Sequence, residues 1–186
     1  MYAALLGVKM APDYYLINFI PMTKGNDYDS STLRFMKMNS VFGPVRKSAF
    51  ETMVKVKIRD YIAVTYPGED IVLTVAPGHK ANDASSFMYQ LVGEIISENP
   101  NLKLTNGSAL LVRVNDIPKQ ATAGGNRSEQ THRDSIVVND PLIAMGKIVI
   151  ILDDVWTTGC TLRVCEEKIR TIGPKDVKLL AIGKTI

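Results

Sequence analysis

Cysteine and histidine are scarce in this sequence of 186 residues, which has two of each. Cys160 and Cys165 lie five positions apart in one predicted loop-helix segment, a spacing that does not suit a disulfide between them. His79 and His132 are distant from both in sequence, so a metal site built on the cysteines is not expected. Since disulfides mark oxidising compartments, we expect a reducing, cytoplasmic location.

Long apolar runs and a strong charge excess are also missing. No run approaches the roughly 20 apolar residues that a membrane helix needs. The opening segment, MYAALLGVKM, has no basic stretch before its short apolar run, so it does not read as a signal peptide. The net charge of +3 is mild beside the basic surfaces of nucleic-acid-binding proteins. We expect neither a membrane nor a nucleic-acid partner, and the charge favours an anionic small molecule.

Apolar runs of strand length alternate with segments of helical periodicity along the chain. This alternation predicts an α/β fold with a mostly parallel central sheet flanked by helices, in a single domain over 1–186. Strands are expected at 14–20, 71–77, 108–114, 136–138, 147–152 and 177–182, and helices at 46–64, after Ser85-Ser86 and at about 160–172. We expect a loop or a small excursion at 22–45 and a loop at 115–135. Since ligands of such sheets bind at the carboxyl ends of the strands, we single out the loops 76–85, 115–135 and 153–161.

The segment 157–161 follows the strand at 147–152 and opens the next predicted helix. The first turn of a helix offers unpaired N–H groups and the positive end of the helix dipole, which together suit a phosphate group. Glycine in such a loop lets the backbone approach an anion closely. The candidate phosphate-binding residues are Thr157, Thr158, Gly159, Cys160 and Thr161.

Two adjacent carboxylates, Asp153 and Asp154, precede that loop. They would repel a phosphate, but they suit the hydroxyls of a sugar, met directly or through water bound to Mg²⁺. A ligand with vicinal hydroxyls, a terminal phosphate and a metal-binding diphosphate is phosphoribosyl pyrophosphate (PRPP). The alternative is a capped helix, with Asp154 or Thr157 as N-cap and Asp153 in solvent.

The stretch Ile150–Leu162 resembles the PRPP motif of type I phosphoribosyltransferases: four hydrophobic residues, an acidic pair, and a Thr-Thr-Gly-x-Thr loop. Trp156 stands where that family usually has a smaller aliphatic residue, and it should either change the packing beneath the loop or form a wall beside the ribose. The resemblance implies a core fold of that family, with the base bound by a small N-terminal hood within 1–45. Tyr14, Tyr15, Phe19 and Tyr28 either stack on the base there or pack as ordinary aromatic residues.

The segment Ala76-Pro77-Gly78-His79-Lys80 is similar to the pyrophosphate loop of orotate-type members of that family. The resemblance implies that Lys80 acts as a point charge on pyrophosphate, with the N–H groups of Gly78 and His79 as further donors. The alternative is a turn whose His79 and Lys80 face solvent.

The polar stretch 115–135 lies where type I enzymes have a mobile basic loop that closes over the site and excludes water. The resemblance makes Arg113, Lys119, Arg127 and Arg133 candidate contacts of the diphosphate. The basic spacing is also loosely similar to ComF-like, competence-associated members, although the zinc-binding cysteines often found at their start are absent. The alternative is a solvated loop whose charges bind nothing.

The family resemblance implies a phosphoribosyltransferase that uses PRPP and Mg²⁺ and transfers the phosphoribosyl group to a nitrogenous acceptor, a nucleobase, with release of pyrophosphate. Asp153, Asp154 and Lys80 would be its catalytic residues, with Mg²⁺ held indirectly by the two aspartates, and the family is commonly homodimeric. Two alternatives stay open: a regulator or binding protein that senses PRPP without turnover, and a protein that binds another phosphosugar.

Overall fold

The structure is a computed structural model that describes residues 13–21, 24–25, 27–37, 44–83, 86–117 and 129–186. The strands are β1 (Tyr14–Phe19), β2 (Ile71–Val75), β3 (Leu104–Asn106), β4 (Leu111–Arg113), β5 (Ile136–Val138), β6 (Ile148–Trp156) and β7 (Asp176–Thr185). The helices are α1 (Tyr28–Lys37), α2 (Pro44–Thr65), α3 (Phe87–Glu98), α4 (Glu129–Ser135) and α5 (Cys160–Arg170), with a 3-10 turn at Pro141–Ile143.

Five parallel strands form the central sheet in the order β1-β7-β6-β2-β3. The expected α/β fold, with a mostly parallel sheet flanked by helices, is therefore confirmed. Strands β2 and β6 are neighbours, paired from Ile71↔Ile148 to Val75↔Leu152. The backbone N–H of Ala76 donates to the carbonyl of Leu152 at 2.8 Å, just past the end of β2. The loop after β2 therefore begins at the edge of the sheet towards which β6 continues beyond Leu152.

The sheet is buried on both faces, as the apolar runs predicted. On one face, Ile150 and Leu152 of β6 pack with side chains of α1, α2 and α3. On the other, Val149 and Ile151 pack with α5 and with the small sheet formed by β4 and β5. Each fully buried aliphatic side chain of this kind contributes roughly 1.5–3 kcal/mol to folding. This two-sided core holds the carboxyl end of β6 in place.

Helix α1 lies within 22–45, which was expected to be a loop or a small excursion, so the segment is not simply a loop. The backbone N–H of Ser30 donates to Asp27 Oδ1 at 3.0 Å, which caps the helix. Ser30 and Thr32 are buried, and Ser30 Oγ accepts a hydrogen bond from the N–H of Ile20 at 2.9 Å. Because polar side chains occupy part of the inner face beside Leu33, the helix shows no clear apolar period in the sequence.

The prediction for the middle of the chain also needs correction. Strand β4 was expected to be a core strand, but it pairs antiparallel with β5 in a separate two-stranded sheet. Residues 129–135, predicted to be part of a long loop, form α4. The sequence of α4, EQTHRDS, has no apolar residue, and ion pairs take the place of an apolar stripe. Strand β3, three residues at the sheet edge, was not predicted.

Strand β6 continues further than expected, through the acidic pair to Trp156. The pairing with β7 runs from Ile148↔Asp176 to Trp156↔Lys184, so Asp153 and Asp154 belong to the strand and not to the loop after it. Among the described residues, no helix is long and apolar enough to cross a membrane.

Candidate functional site

Asp153 and Asp154 lie at the carboxyl end of β6, and both side chains are half-buried. Asp153 pairs with Ala181 of β7, which fixes its backbone within the sheet. Its Oδ1 accepts a hydrogen bond from the backbone N–H of Asp154 at 2.8 Å, which orients the carboxylate. The two carboxylates therefore stand on the rigid end of a strand, immediately before the loop that resembles a phosphate cradle.

Trp156 forms the floor of that loop. Its side chain is buried, 2% exposed, and the backbone of Gly159 lies against its indole. Gly159 has φ of +75°, and a Cβ built there would be 2.3 Å from Trp156 Cζ2. Of the two alternatives for Trp156, packing beneath the loop is the one observed. Both the backbone angle and the contact require glycine at 159.

The first residue of α5 is Cys160, and its N-cap is Gly159. Because the N-cap is Gly159, neither Asp154 nor Thr157 has that position, and the predicted alternative with one of them as N-cap is wrong. A glycine N-cap offers no side-chain oxygen to the N–H groups of the first turn, which is an arrangement that suits an anion.

The hydroxyl side chains of the loop sit around this helix start. Thr157 and Thr158 are exposed, and Thr161 is half-buried. Thr157 Oγ1 lies 3.3 Å from the hydroxyl of Thr185, at the end of β7. The N–H of Cys160 donates to Thr158 Oγ1 at 3.5 Å. The structure thus brings the predicted phosphate-binding residues together, with Thr185 as an unpredicted neighbour.

Arg163, one turn into α5, supports the loop and was missed by the sequence interpretation. Its Nη1 donates to the carbonyl of Thr158 at 2.8 Å, and its Nη2 lies 3.3 Å from Cys160 Sγ. Its Nε donates to Glu129 Oε1 at 2.9 Å. A basic residue four positions after the loop glycine was the available signal, but its partner Glu129 is distant in sequence.

Glu129 begins α4 and contacts two arginines. Its Oε2 accepts from Arg133 Nη2 at 3.1 Å, while its Oε1 binds Arg163. The hydrogen bond from Arg163 is the main cause that holds the pKa of the Glu129 carboxyl below its ordinary value, with Arg133 adding to it. Partial burial opposes this shift, but the two guanidinium groups outweigh it. Glu129 is therefore a stable anion between α4 and α5.

The loop after β2 is fastened to the chain that follows β4. The N–H of Ala81 donates to Asp116 Oδ1 at 2.7 Å, and the N–H of Ile117 donates to the carbonyl of His79 at 2.9 Å. Asn82 takes the left-handed conformation, with φ of +52°, and its N–H donates to the carbonyl of Arg113 at 2.9 Å. Asparagine is one of the few residues that adopt this conformation readily.

The three candidate residues of that loop differ in exposure. Gly78 and Lys80 are exposed, and His79 is half-buried. Lys80 lines a surface pocket of about 150 Å³ beside the loop. The pocket also borders Arg113 and the side chain of Tyr89 on α3, and its remaining lining is Pro77, Asn82, Asp83, Ala109 and Val112. Lys80 is thus placed where its ammonium group can reach a ligand from solvent.

Arg113 was predicted to reach the diphosphate, but it lies in the interior, 2% exposed. Its guanidinium donates to the carbonyls of Gly78 and, at 3.4 Å, Pro77. It also contacts Ser135 Oγ, and its Nη2 lies 3.2 Å from His132 Nδ1. Since a guanidinium has no acceptor, that ring nitrogen of His132 must accept. The guanidinium of Arg113 therefore lies against the backbone of the loop after β2, while the residue also borders the pocket that Lys80 lines.

The basic residues expected in the mobile loop have different outcomes. The guanidinium of Arg133 lies between two carboxylates, with Nη2 at 3.1 Å from Glu129 Oε2 and 2.9 Å from Glu167 Oε2. In this arrangement Arg133 ties α4 to α5. Lys119 and Arg127 lie outside the described residues.

The aromatic candidates for base stacking are partly used in packing. Tyr14 stacks on Tyr61, with ring centroids 4.4 Å apart, so it belongs to the core between β1 and α2. The ammonium of Lys184 lies 5.1 Å from the ring of Tyr15. The guanidinium of Arg34 lies 5.5 Å from the ring of Phe19. Tyr28 is exposed. Residues 1–12 of the expected hood lie outside the described residues.

The described residues contain no group of three or more histidine, cysteine, aspartate or glutamate side chains that could hold a metal ion. Mg²⁺ is commonly held by one or two carboxylates together with water and the phosphate oxygens of a ligand. The acidic pair fits such a shared site and does not form a complete metal cage.

No family model matches the chain, and no curated protein matches its sequence. Solved structures give likenesses in fold. A phosphoribosylpyrophosphate synthetase from Mycobacterium smegmatis is 19% identical, with a TM-score of 0.44, over 70% of this chain and 33% of that one. This chain therefore spans about a third of the length of that structure.

Two further likenesses are to transferases. A hypoxanthine phosphoribosyl transferase from Trypanosoma cruzi is 12% identical, with a TM-score of 0.44, over 85% of this chain and 75% of that one. A purine phosphoribosyltransferase from Pyrococcus horikoshii is 15% identical, with a TM-score of 0.36, over 73% of this chain and 83% of that one. At such identities the likeness concerns the fold alone.

Proposed function

We propose that the protein is a phosphoribosyltransferase that binds PRPP with Mg²⁺ and transfers its phosphoribosyl group to a nitrogenous acceptor, a nucleobase, with release of pyrophosphate. The proposal rests mainly on one observation: the acidic pair at the end of β6 leads directly into the glycine-capped start of α5. This places acceptors for sugar hydroxyls beside donors for a phosphate. PRPP carries both groups on one ribose.

The loop after β2 supplies the second part of the proposed site. Because β2 and β6 are neighbours in a parallel sheet, this loop leaves the sheet at the same edge as the phosphate loop 157–161. Lys80 is exposed there, and an ammonium group is a suitable point charge for a diphosphate. The leaving pyrophosphate would lie against this loop, and the 5′-phosphate would lie against α5.

The two carboxylates have a defined task in this proposal. Asp153 and Asp154 would accept hydrogen bonds from the ribose hydroxyls and stabilise the positive charge that develops on the ring in the transition state. Asp153 and Asp154 would hold Mg²⁺ indirectly, through water or the ribose hydroxyls, and the metal would supply neutralising charge for the diphosphate. The strand pairing with Ala181 fixes the backbone of Asp153, and the N–H of Asp154 orients its carboxylate.

The proposed reaction breaks the bond between the anomeric carbon and the pyrophosphate oxygen and forms a bond from that carbon to the acceptor nitrogen. The electron pair of the broken bond leaves with pyrophosphate, and the acceptor nitrogen loses a proton. No protein nucleophile is required. Contacts of the phosphate loop with the distant 5′-phosphate would fix the anomeric carbon in position, so that binding energy away from the reacting bond promotes the reaction.

Titration calorimetry with PRPP and Mg²⁺ tests the binding step. We expect binding by the wild-type protein, and a loss of about ten-fold or more in affinity in Asp153→Asn and Asp154→Asn. Asp176→Asn is a matched control, because Asp176 Oδ1 accepts from the N–H of Val177 at 2.7 Å, as Asp153 accepts from Asp154, but at the opposite end of the sheet. No binding at millimolar PRPP, or equal affinity in all three variants, would overturn the proposal.

A pyrophosphate-release screen over nucleobases tests catalysis. Release with at least one base is expected, and Lys80→Ala should lower kcat more than it weakens PRPP binding. Tight PRPP binding without release for any base would contradict the enzyme and favour a PRPP sensor. The family resemblance also implies a homodimer, which gel filtration would test.

A further inference from the structure

Two arginines hold the two proposed ligand loops through backbone carbonyls. Arg113 donates to the carbonyls of Pro77 and Gly78, in the loop after β2. Arg163 donates to the carbonyl of Thr158, in the phosphate loop. In both loops the arginine donates to backbone carbonyls, and Arg163 Nη2 also lies 3.3 Å from Cys160 Sγ.

A carbonyl held in this way also fixes an N–H group. The peptide unit is planar, and in the trans form its C=O and N–H point in opposite directions. No cis peptide bond occurs among the described residues. With the carbonyls of Pro77 and Gly78 directed towards Arg113, the N–H groups of Gly78 and His79 are directed away from it. By the same argument, the bond from Arg163 to Thr158 directs the N–H of Gly159 away from Arg163.

Both arginines are in turn held by one short helix, α4. Its first residue, Glu129, binds Arg163, with Oε1 at 2.8 Å from Nη2. Its last residue, Ser135, contacts the guanidinium of Arg113, together with His132 one turn earlier. Glu129 and Ser135 lie at opposite ends of α4. The helix therefore connects the two loops, reaching the loop after β2 through Arg113 and the phosphate loop through Arg163.

We propose that α4 is a brace that fixes the two ligand loops relative to each other, with Arg113 and Arg163 as positioning residues that turn loop N–H groups towards the ligand. The idea that these N–H groups meet the two phosphate ends of one ligand rests on the function proposed above. The mechanical coupling of the loops through α4 does not depend on it. Loosening one end of α4 should therefore loosen both loops.

Hydrogen exchange resolved by residue tests this coupling without any ligand. Two amides report on the loops: that of Arg163, which donates to the carbonyl of Gly159 at 2.9 Å, and that of Asn82, which donates to the carbonyl of Arg113 at 2.9 Å. Glu129→Ala removes the ion pair with Arg163 and keeps a residue of high helix propensity in α4. Both amides should exchange roughly three-fold faster in this variant, as the loss of a partly exposed ion pair allows.

Glu167→Ala is the matched control. It removes one of the two carboxylates at Arg133 and leaves Glu129 with Arg163, so both amides should exchange as in the wild type. Ser135→Ala tests the opposite end of α4. It removes the hydroxyl at Arg113, and we expect faster exchange of the Arg163 amide as well as of Asn82. Effects confined to the nearer loop in both variants would overturn the brace.

PRPP binding in the presence of Mg²⁺ separates the brace from the proposed function. If wild-type protein binds PRPP, Glu129→Ala should bind it roughly three-fold more weakly, while Glu167→Ala binds it as the wild type does. Unchanged affinity in Glu129→Ala would contradict the positioning role. If wild-type protein does not bind PRPP, the proposed function fails, and the exchange rates still decide whether α4 couples the loops.

Discussion

Gly159 lies so close to the indole of Trp156 that even a methyl group has no room between them. A Cβ at Gly159 would approach Cζ2, Cη2 and Cε2 of Trp156 to 2.3, 2.6 and 2.7 Å. These atoms belong to a rigid ring that is buried in the core. The tryptophan and the glycine therefore determine the shape of the phosphate loop together.

Gly159→Ala should weaken PRPP binding by more than ten-fold and destabilise the protein, because the loop must move away from the indole and change its backbone angle. Gly173→Ala is the matched control: Gly173 has a similar φ of +76°, but nothing lies within 4 Å of its Cβ position. The control should cost about 1–2 kcal/mol of unfolding free energy and leave PRPP affinity unchanged. Urea unfolding and calorimetry measure both. Equal effects of the two substitutions would show that the contact with Trp156 is unimportant.

Arg113→Met should lower the unfolding free energy by about 2–4 kcal/mol, because it leaves the carbonyls of Pro77 and Gly78 without their buried donor. Arg113→Lys should recover little of this loss, since an ammonium group cannot reproduce the planar set of donors. Arg170→Met, at an exposed arginine on α5, should change the unfolding free energy by less than about 0.5 kcal/mol. Urea unfolding measures the unfolding free energy of all three variants. A mild effect of Arg113→Met would contradict the role of Arg113 as the donor that holds the loop after β2.

The two thiols should react at different stages. Cys165 is fully buried, and burial raises the pKa of its thiol, with the nearby Asp153 carboxylate adding to the shift. Since the thiolate is the reactive form, Cys165 should react with a disulfide reagent only after unfolding. Cys160 is partly exposed and should react in the native protein. PRPP with Mg²⁺ should slow its reaction; equal rates for both native thiols would contradict this.

The ion pair between Glu129 and Arg163 should give a defined pH dependence. Because the pKa of Glu129 is lowered in the folded protein, its stabilising contribution is complete above the ordinary glutamate pKa of about 4.3. The contribution is lost as the pH falls through the lower, folded value. Glu129→Gln should therefore lower the Tm at pH 7 by at most roughly 3 °C, and the difference should shrink below about pH 4. A Tm difference between the wild type and Glu129→Gln that grows as the pH falls would contradict a lowered pKa of Glu129 in the folded protein.

The parts of the fold that apolar patterns determine could be predicted from the sequence. Strands β2 and β6 are apolar on both faces, and α3 has an apolar stripe, so local patterns located them. The sequence also located the acidic pair and Gly159, because these residues come shortly after a recognisable apolar strand. The structure then showed why residue 159 is glycine, namely its positive φ and its contact with the indole of Trp156.

The missed features depend on partners that are distant in sequence. Helix α4 has no apolar stripe, and its ion pairs lie with Arg163 and Glu167 on another helix. Arg113 was predicted to reach the diphosphate from its place at a strand end, on the family resemblance. Its burial depends on Ser135 and on the carbonyls of the loop after β2, and no local pattern of residues encodes these contacts.

Within the part of the chain that the structure describes, strand β1 pairs with β7 alone, and the N–H of Leu179 donates to Asp13 Oδ2 across 166 positions of the chain. Such a pairing cannot form during synthesis until β7 has left the ribosome. Bringing β1 and β7 together also costs more chain entropy than forming the contacts between β1 and α1, because a longer stretch of chain must be closed. We therefore expect the docking of β1 on β7 to be a late folding step.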